Sequence, residues 1–83
     1  MVARGRVQGV FFRDGLRSRA AEHDVAGWVV NRSDGAVEAV LEGAPDAVDA
    51  LVGFCREGPG DARVEDVEVA EEPAEGLHGF EVR

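Results

Sequence analysis

Gly5-Arg6-Val7-Gln8-Gly9-Val10-Phe11-Phe12-Arg13-Asp14 carries the end of a short strand through a glycine turn and into a helix. This joint sets the first β-α unit and at the same time lays out an anion site. Backbone N–H groups left free by a tight turn, together with those of a first helical turn and its dipole, can converge on a phosphate or carboxylate. Arg13 adds a fixed charge whose planar donor fork matches two phosphate oxygens. The loop lacks the Gly-Lys-Ser/Thr ending of a nucleotide P-loop, so a metal-nucleotide site is not indicated.

Working outward, Val2 to Val7 is expected as the first strand and Arg13 to His23 as the first helix. Phe12, Leu16, Ala20 and His23 share one face of that helix. Gly15 lies inside it at a cost of up to about 1 kcal/mol, which points to close backbone packing or a role in the loop. Val25 to Asn31 reads as a second strand, with Trp28 assigned to the core, and Ser33-Asp34-Gly35 as a hairpin turn. In the third strand, Ala36 to Glu42, Val37, Ala39 and Leu41 face inward while Glu38 and Glu42 face water. A second helix opens at Pro45, carries Val48, Leu51, Val52 and Cys55 on one stripe, and stops at Gly58-Pro59. Arg63 to Glu71 is expected as a fourth strand, Pro73 to Gly79 as a loop, and Phe80 to Arg83 as a short terminal strand. The order β-α-β-β-α-β with a short fifth strand defines an α+β, ferredoxin-like sandwich. Its two helices pack on one face of a mostly antiparallel sheet. That architecture hosts many functions and does not choose among them.

The 83 residues leave room for one domain, residues 1–83, with one thin core. An apolar run near membrane-spanning length and a charged-apolar leader are both lacking, so a cytoplasmic protein is expected. Cys55 is the single cysteine and reads as a small buried apolar group; His23 reads as a helix-end residue favouring the dipole. The net charge is −8, yet residues 1–20 carry +4 and the remainder −12. The positive end is the end with the glycine loop. An acidic body argues against nucleic acid and anionic membranes as partners and is compatible with a small anion at one local site. Ser18, Ser33, His23 and His78 belong to no nucleophile-elbow motif, and no metal-ligand spacing occurs. All nine basic residues are arginine, and lysine and tyrosine are absent.

Gly5 to Arg13, together with Gly27-Trp28-Val29-Val30-Asn31-Arg32-Ser33-Asp34-Gly35-Ala36-Val37 closed by Gly43, resembles the two signatures of the acylphosphatase family. The resemblance runs from about Gly5 through the Gly-Phe-x-x-Arg ending at Gly79 to Arg83. It implies hydrolysis of the carboxyl-phosphate bond of small acyl phosphates, with inorganic phosphate as product and inhibitor. It implies a backbone phosphate cradle at Gln8, Gly9, Val10, Phe11 and Phe12, with Arg13 on the phosphoryl oxygens and Asn31 positioning the attacking water. No metal, cofactor or covalent intermediate is implied, and a monomer suffices. Read alone, Arg13 is compatible with a helix-surface arginine, and Asn31 with a turn residue ahead of the hairpin. A non-catalytic module binding phosphate or carbamoyl phosphate is the alternative for the same fold. Three features depart from the family pattern. The first strand is short, Val30 stands where a basic or polar residue is more usual, and Asp24 stands where glycine commonly closes the first helix.

Overall fold

The computed structural model describes residues 1–9 and 11–83. Its elements are β1 (Val2–Arg6), α1 (Phe12–His23), β2 (Ala26–Asn31), β3 (Val37–Glu42), α2 (Pro45–Glu57), β4 (Arg63–Glu68) and β5 (Phe80–Val82). The strands form one sheet in the order β4-β1-β3-β2-β5, antiparallel throughout except for the parallel pair β2 and β5. Both helices pack on this sheet, giving the expected ferredoxin-like α+β sandwich. Phe12, Leu16 and Ala20 from α1 and Leu51 and Cys55 from α2 close a single core over Ala3, Val29, Val37 and Ala39.

Local chemistry explains the helix boundaries. Helix α1 ends at Asp24, whose backbone is left-handed (φ 57°, ψ 43°) and whose N–H donates to the Ala20 carbonyl. Val25 N–H donates to the same oxygen at 2.9 Å, turning the chain into β2. Helix α2 begins with Pro45 in its first turn, where the missing N–H costs nothing. The helices meet at Gly15, where a Cβ would come within 2.8 Å of the Phe54 ring. The glycine thus exchanges helix propensity for a close helix-helix approach.

Four expectations are corrected. β1 ends at Arg6, one residue short of Val7, because its ladder with β4 ends at the pair Arg6 and Arg63. β4 stops at Glu68 because its partner begins at Val2, directly opposite. His23 is exposed, so the buried stripe of α1 ends at Ala20. Trp28 lies outside the core: Gly27 and Val29 take the buried side of β2, and alternation turns Trp28 to the other. There its ring packs beneath the Arg83 guanidinium, 4.7 Å from the ring centre.

Candidate active site

β1, β2 and β5 run parallel to one another, so their C-terminal ends share one edge of the sheet. The N-terminus of α1 follows β1 by a few residues and lies at that edge too. Topology alone therefore brings the Gln8–Phe12 loop, Arg13, Asn31 and Arg83 to one place. Val10, expected in the phosphate cradle, lies outside the described residues.

The β1–β4 ladder shifts register at Arg4/Gly5, just before the loop, where β4 carries one extra residue, Glu65. Gly5 (φ 123°) is obligatory there, since a Cβ would meet the Arg63 carbonyl oxygen at 2.2 Å. Val7, at 1% exposure, anchors the start of the loop in the core, and Phe12, at 2%, anchors its end. Between them Gly9 (φ 71°) and Phe11 (φ 59°, ψ 24°) are left-handed. Phe11 is the N-cap of α1, and no side chain of the described residues caps the helix. The first-turn N–H groups are therefore left without a side-chain acceptor, as an incoming anion requires.

Gln8 contributes in a way that local sequence did not reveal. Its side-chain amide donates to the carbonyls of Arg32 (2.7 Å) and Ala36 (3.0 Å), bracing the loop against the β2–β3 hairpin. The amide nitrogen is thus occupied, which leaves the backbone N–H as the donor Gln8 can offer an anion. The hairpin has its own clasp. Asp34 accepts from Ala36 N–H (3.1 Å) and from the guanidinium groups of Arg32 (2.9 Å) and Arg4 (3.4 Å). The Ala36 N–H first, then these two charges, hold the Asp34 carboxyl below its ordinary range.

The side-chain hydrogen bonds that hold the hairpin come from Asp34 and Gln8. Asn31 ends β2 opposite Val37, and its Oδ1 is buried with no hydrogen-bond partner among the described residues. A buried amide oxygen without a donor is costly and rare. Arg13 is half-buried, and its Nη1 donates to the main-chain oxygen of Arg83 at 3.0 Å. Arg83 in turn donates its N–H to Val29 (2.9 Å), so the end of the sheet orients the guanidinium. This brace was the second feature not read from local sequence, since its partners stand 70 positions apart.

Other candidate nucleophiles and ligands fall elsewhere. Cys55 is in the core, where burial pushes its thiol up to about 12. His23 and His78 are exposed. Among the described residues no three of His, Cys, Asp and Glu converge as a metal site, and no helix is long and apolar enough to cross a membrane.

The protein is thus a ferredoxin-like α+β sandwich in which the start of α1, Arg13 and Asn31 share one end of the sheet. The acylphosphatase family model matches residues 1–82. An acylphosphatase of Rubrobacter xylanophilus is 65% identical over 95% of this chain and 73% of its own length. The crystal structure of acylphosphatase from Bacillus subtilis superposes at TM-score 0.94 with 37% identity, covering 99% of this chain and 92% of that one. Full-length HypF, solved in a phosphate- and nucleotide-bound form, contains a similar segment: TM-score 0.88 and 25% identity, covering 99% of this chain and 11% of that one. The chain belongs to the acylphosphatase family and is an enzyme of that family. The family implies a small acyl phosphate as its substrate.

Proposed function

We propose that the chain, as a single domain over residues 1–83, hydrolyses small acyl phosphates by direct attack of water on phosphorus. The observation that supports this best is the convergence of Arg13, Asn31 and the Gln8–Phe12 loop on one sheet edge, fixed by the strand topology. The phosphoryl oxygens take hydrogen bonds from the backbone of residues 8–12 and from the Arg13 guanidinium. The Asn31 amide orients the water, its Oδ1 accepting a water proton and leaving a lone pair directed at phosphorus. As the new P–O bond forms, the bond from phosphorus to the acyl oxygen breaks and its electron pair leaves on the carboxylate. The water's proton passes to a phosphoryl oxygen, giving inorganic phosphate.

The leaving carboxylate has a conjugate-acid pKa of roughly 4, as for Asp and Glu, so it departs without a strong general acid. Positioning and charge stabilisation then carry the reaction, with no metal and no covalent enzyme intermediate in this reading. Inorganic phosphate, the product, occupies the same cradle and inhibits. The working unit is a monomer in the cytoplasm, with no nucleic-acid or membrane partner.

The test is steady-state hydrolysis of benzoyl phosphate by the purified chain in excess chelator and oxygen-18 water. Turnover with the label in phosphate is expected. Label in benzoate, or activity that returns only with added metal, would overturn the mechanism. A second reading, a module that binds phosphate or carbamoyl phosphate without turnover, is supported by the likeness to part of HypF, solved in a phosphate-bound form. Phosphate binding with no turnover would favour it.

A further inference from the structure

Phe11 has no evident folding reason to be phenylalanine. Its backbone is left-handed (φ 59°, ψ 24°), a conformation in which a Cβ is strained and glycine is not. Its side chain is 81% exposed, whereas the adjacent Phe12 is 2% exposed in the core. Packing therefore returns almost nothing for the strain. Strain retained without packing is found where function requires it. The position is also specific: Phe11 is the N-cap of α1, the last loop residue before the helix. Two residues earlier, Gly9 faces open space, for a Cβ there would meet nothing within 4 Å.

We infer that the Phe11 ring is the platform on which the acyl group of the substrate rests, and that it selects aromatic acyl phosphates over acetyl phosphate. This rests on the proposed reading of the loop as the phosphoryl cradle. In an acyl phosphate one oxygen separates phosphorus from the acyl carbon, so whatever that carbon carries leaves the cradle beside its rim. The backbone of Phe11 belongs to the rim, and its ring is joined to that backbone through one methylene. A phenyl ring offers an apolar face and no hydrogen-bond donor, so it acts on the acyl group and not on the phosphoryl transfer. Stacking an aromatic acyl group on it removes apolar surface of both from water; the methyl of acetyl phosphate covers little of it.

The test compares kcat/KM for benzoyl phosphate and acetyl phosphate in the wild type, Phe11→Ala, Phe11→Gly and Phe11→Trp. Competition by phenylphosphonate and methylphosphonate gives a binding readout independent of turnover. The wild type is expected to prefer the benzoyl substrate, and that preference to fall by about two- to tenfold in the Ala and Gly variants while surviving in Trp. The two phosphonates should separate in the same pattern. Because the readout is a ratio, any loss common to both substrates from an altered loop cancels. Phe11→Gly suits the left-handed backbone and keeps the test open if Phe11→Ala folds poorly. A change in preference smaller than about twofold in both variants overturns the platform and leaves acyl phosphate hydrolysis standing. Failure of the wild type to hydrolyse either substrate overturns the underlying reading, and the platform with it.

Discussion

Arg13 has one guanidinium nitrogen engaged among the described residues, by the main-chain oxygen of Arg83 at 3.0 Å. That exposed contact contributes about 1 kcal/mol or less to folding, whereas the planar fork it orients is suited to a bound phosphoryl group. Arg13→Ala should therefore cut kcat/KM by well over tenfold, more than about 1.4 kcal/mol of transition-state stabilisation, with the urea midpoint nearly unchanged. Arg13→Lys should rescue poorly, since a point charge cannot reproduce two parallel contacts. Asn31 predicts a different pattern, because in the proposed mechanism its Oδ1, without a partner among the described residues, holds the water and not the anion. Asn31→Ala should lower kcat far more than it weakens inhibition by inorganic phosphate; equal losses would make it a binding or structural residue. The placement of both side chains at one end of the sheet was legible in the sequence through the glycine loop and the strand-turn signature. Their supports were not. The Gln8 amide reaches carbonyls 24 and 28 positions away, and no local periodicity encodes a pairing that only sheet topology creates.

At the level of elements, what local rules govern was readable and what the partner strand governs was not. The end of α1 is a clear case. Asp24 closes the helix in the left-handed backbone that glycine would take freely. Its charge also faces the negative end of the helix dipole. Asp24→Gly should stabilise by about 0.5 to 1 kcal/mol, after partial offset by unfolded-chain entropy, and leave kcat unchanged. A urea midpoint raised at constant m would register it. By contrast β4 stopped at Glu68 only because β1 begins at Val2, a limit set across the sheet. Trp28 shows the same dependence: alternation separated the two faces of β2, but only the packed helices decided which face was buried. The segment after β4 is tied down by Glu42 at the end of β3, whose carboxylate accepts the N–H groups of Glu75 and Leu77. Those two donors hold the Glu42 carboxyl below its ordinary value of 4.5. A lowered folded-state value means the tie is fully present above the ordinary carboxylate range and is lost as pH falls through the lowered one. Amide exchange at Glu75 and Leu77 should accelerate in acid relative to the helix cores, and Glu42→Gln should loosen the segment already at neutral pH.

Over the whole molecule, charge and composition give an alkaline limb of stability with one principal author, Cys55. Lysine and tyrosine are absent, and every basic residue is arginine, which stays charged beyond pH 12. Between about pH 9 and 12 the cysteine is therefore the one side chain with an ordinary pKa near the window. Cys55 sits at 0% exposure where α2 meets the sheet, and desolvation raises its thiol from 9.0 to about 12. The sign follows directly. A raised folded-state value means the native state holds its proton longer than the unfolded state, so the contribution is complete below about pH 9. It is lost progressively as pH rises toward about 12. The slope approaches about 1.4 kcal/mol per pH unit within the window, giving a loss of about 3 to 4 kcal/mol across it. Cys55→Ala should be less stable at neutral pH, because it leaves a small cavity in a thin core. It should also be nearly independent of pH between about 9 and 11, where the wild type declines. Urea midpoints of both proteins across that range test the argument, and parallel declines would assign the alkaline loss to the backbone or termini instead of the thiol. Alkylation of Cys55 supplies a second readout: in the wild type it should proceed only through opening of the core, at a rate that rises with urea together with the unfolded fraction.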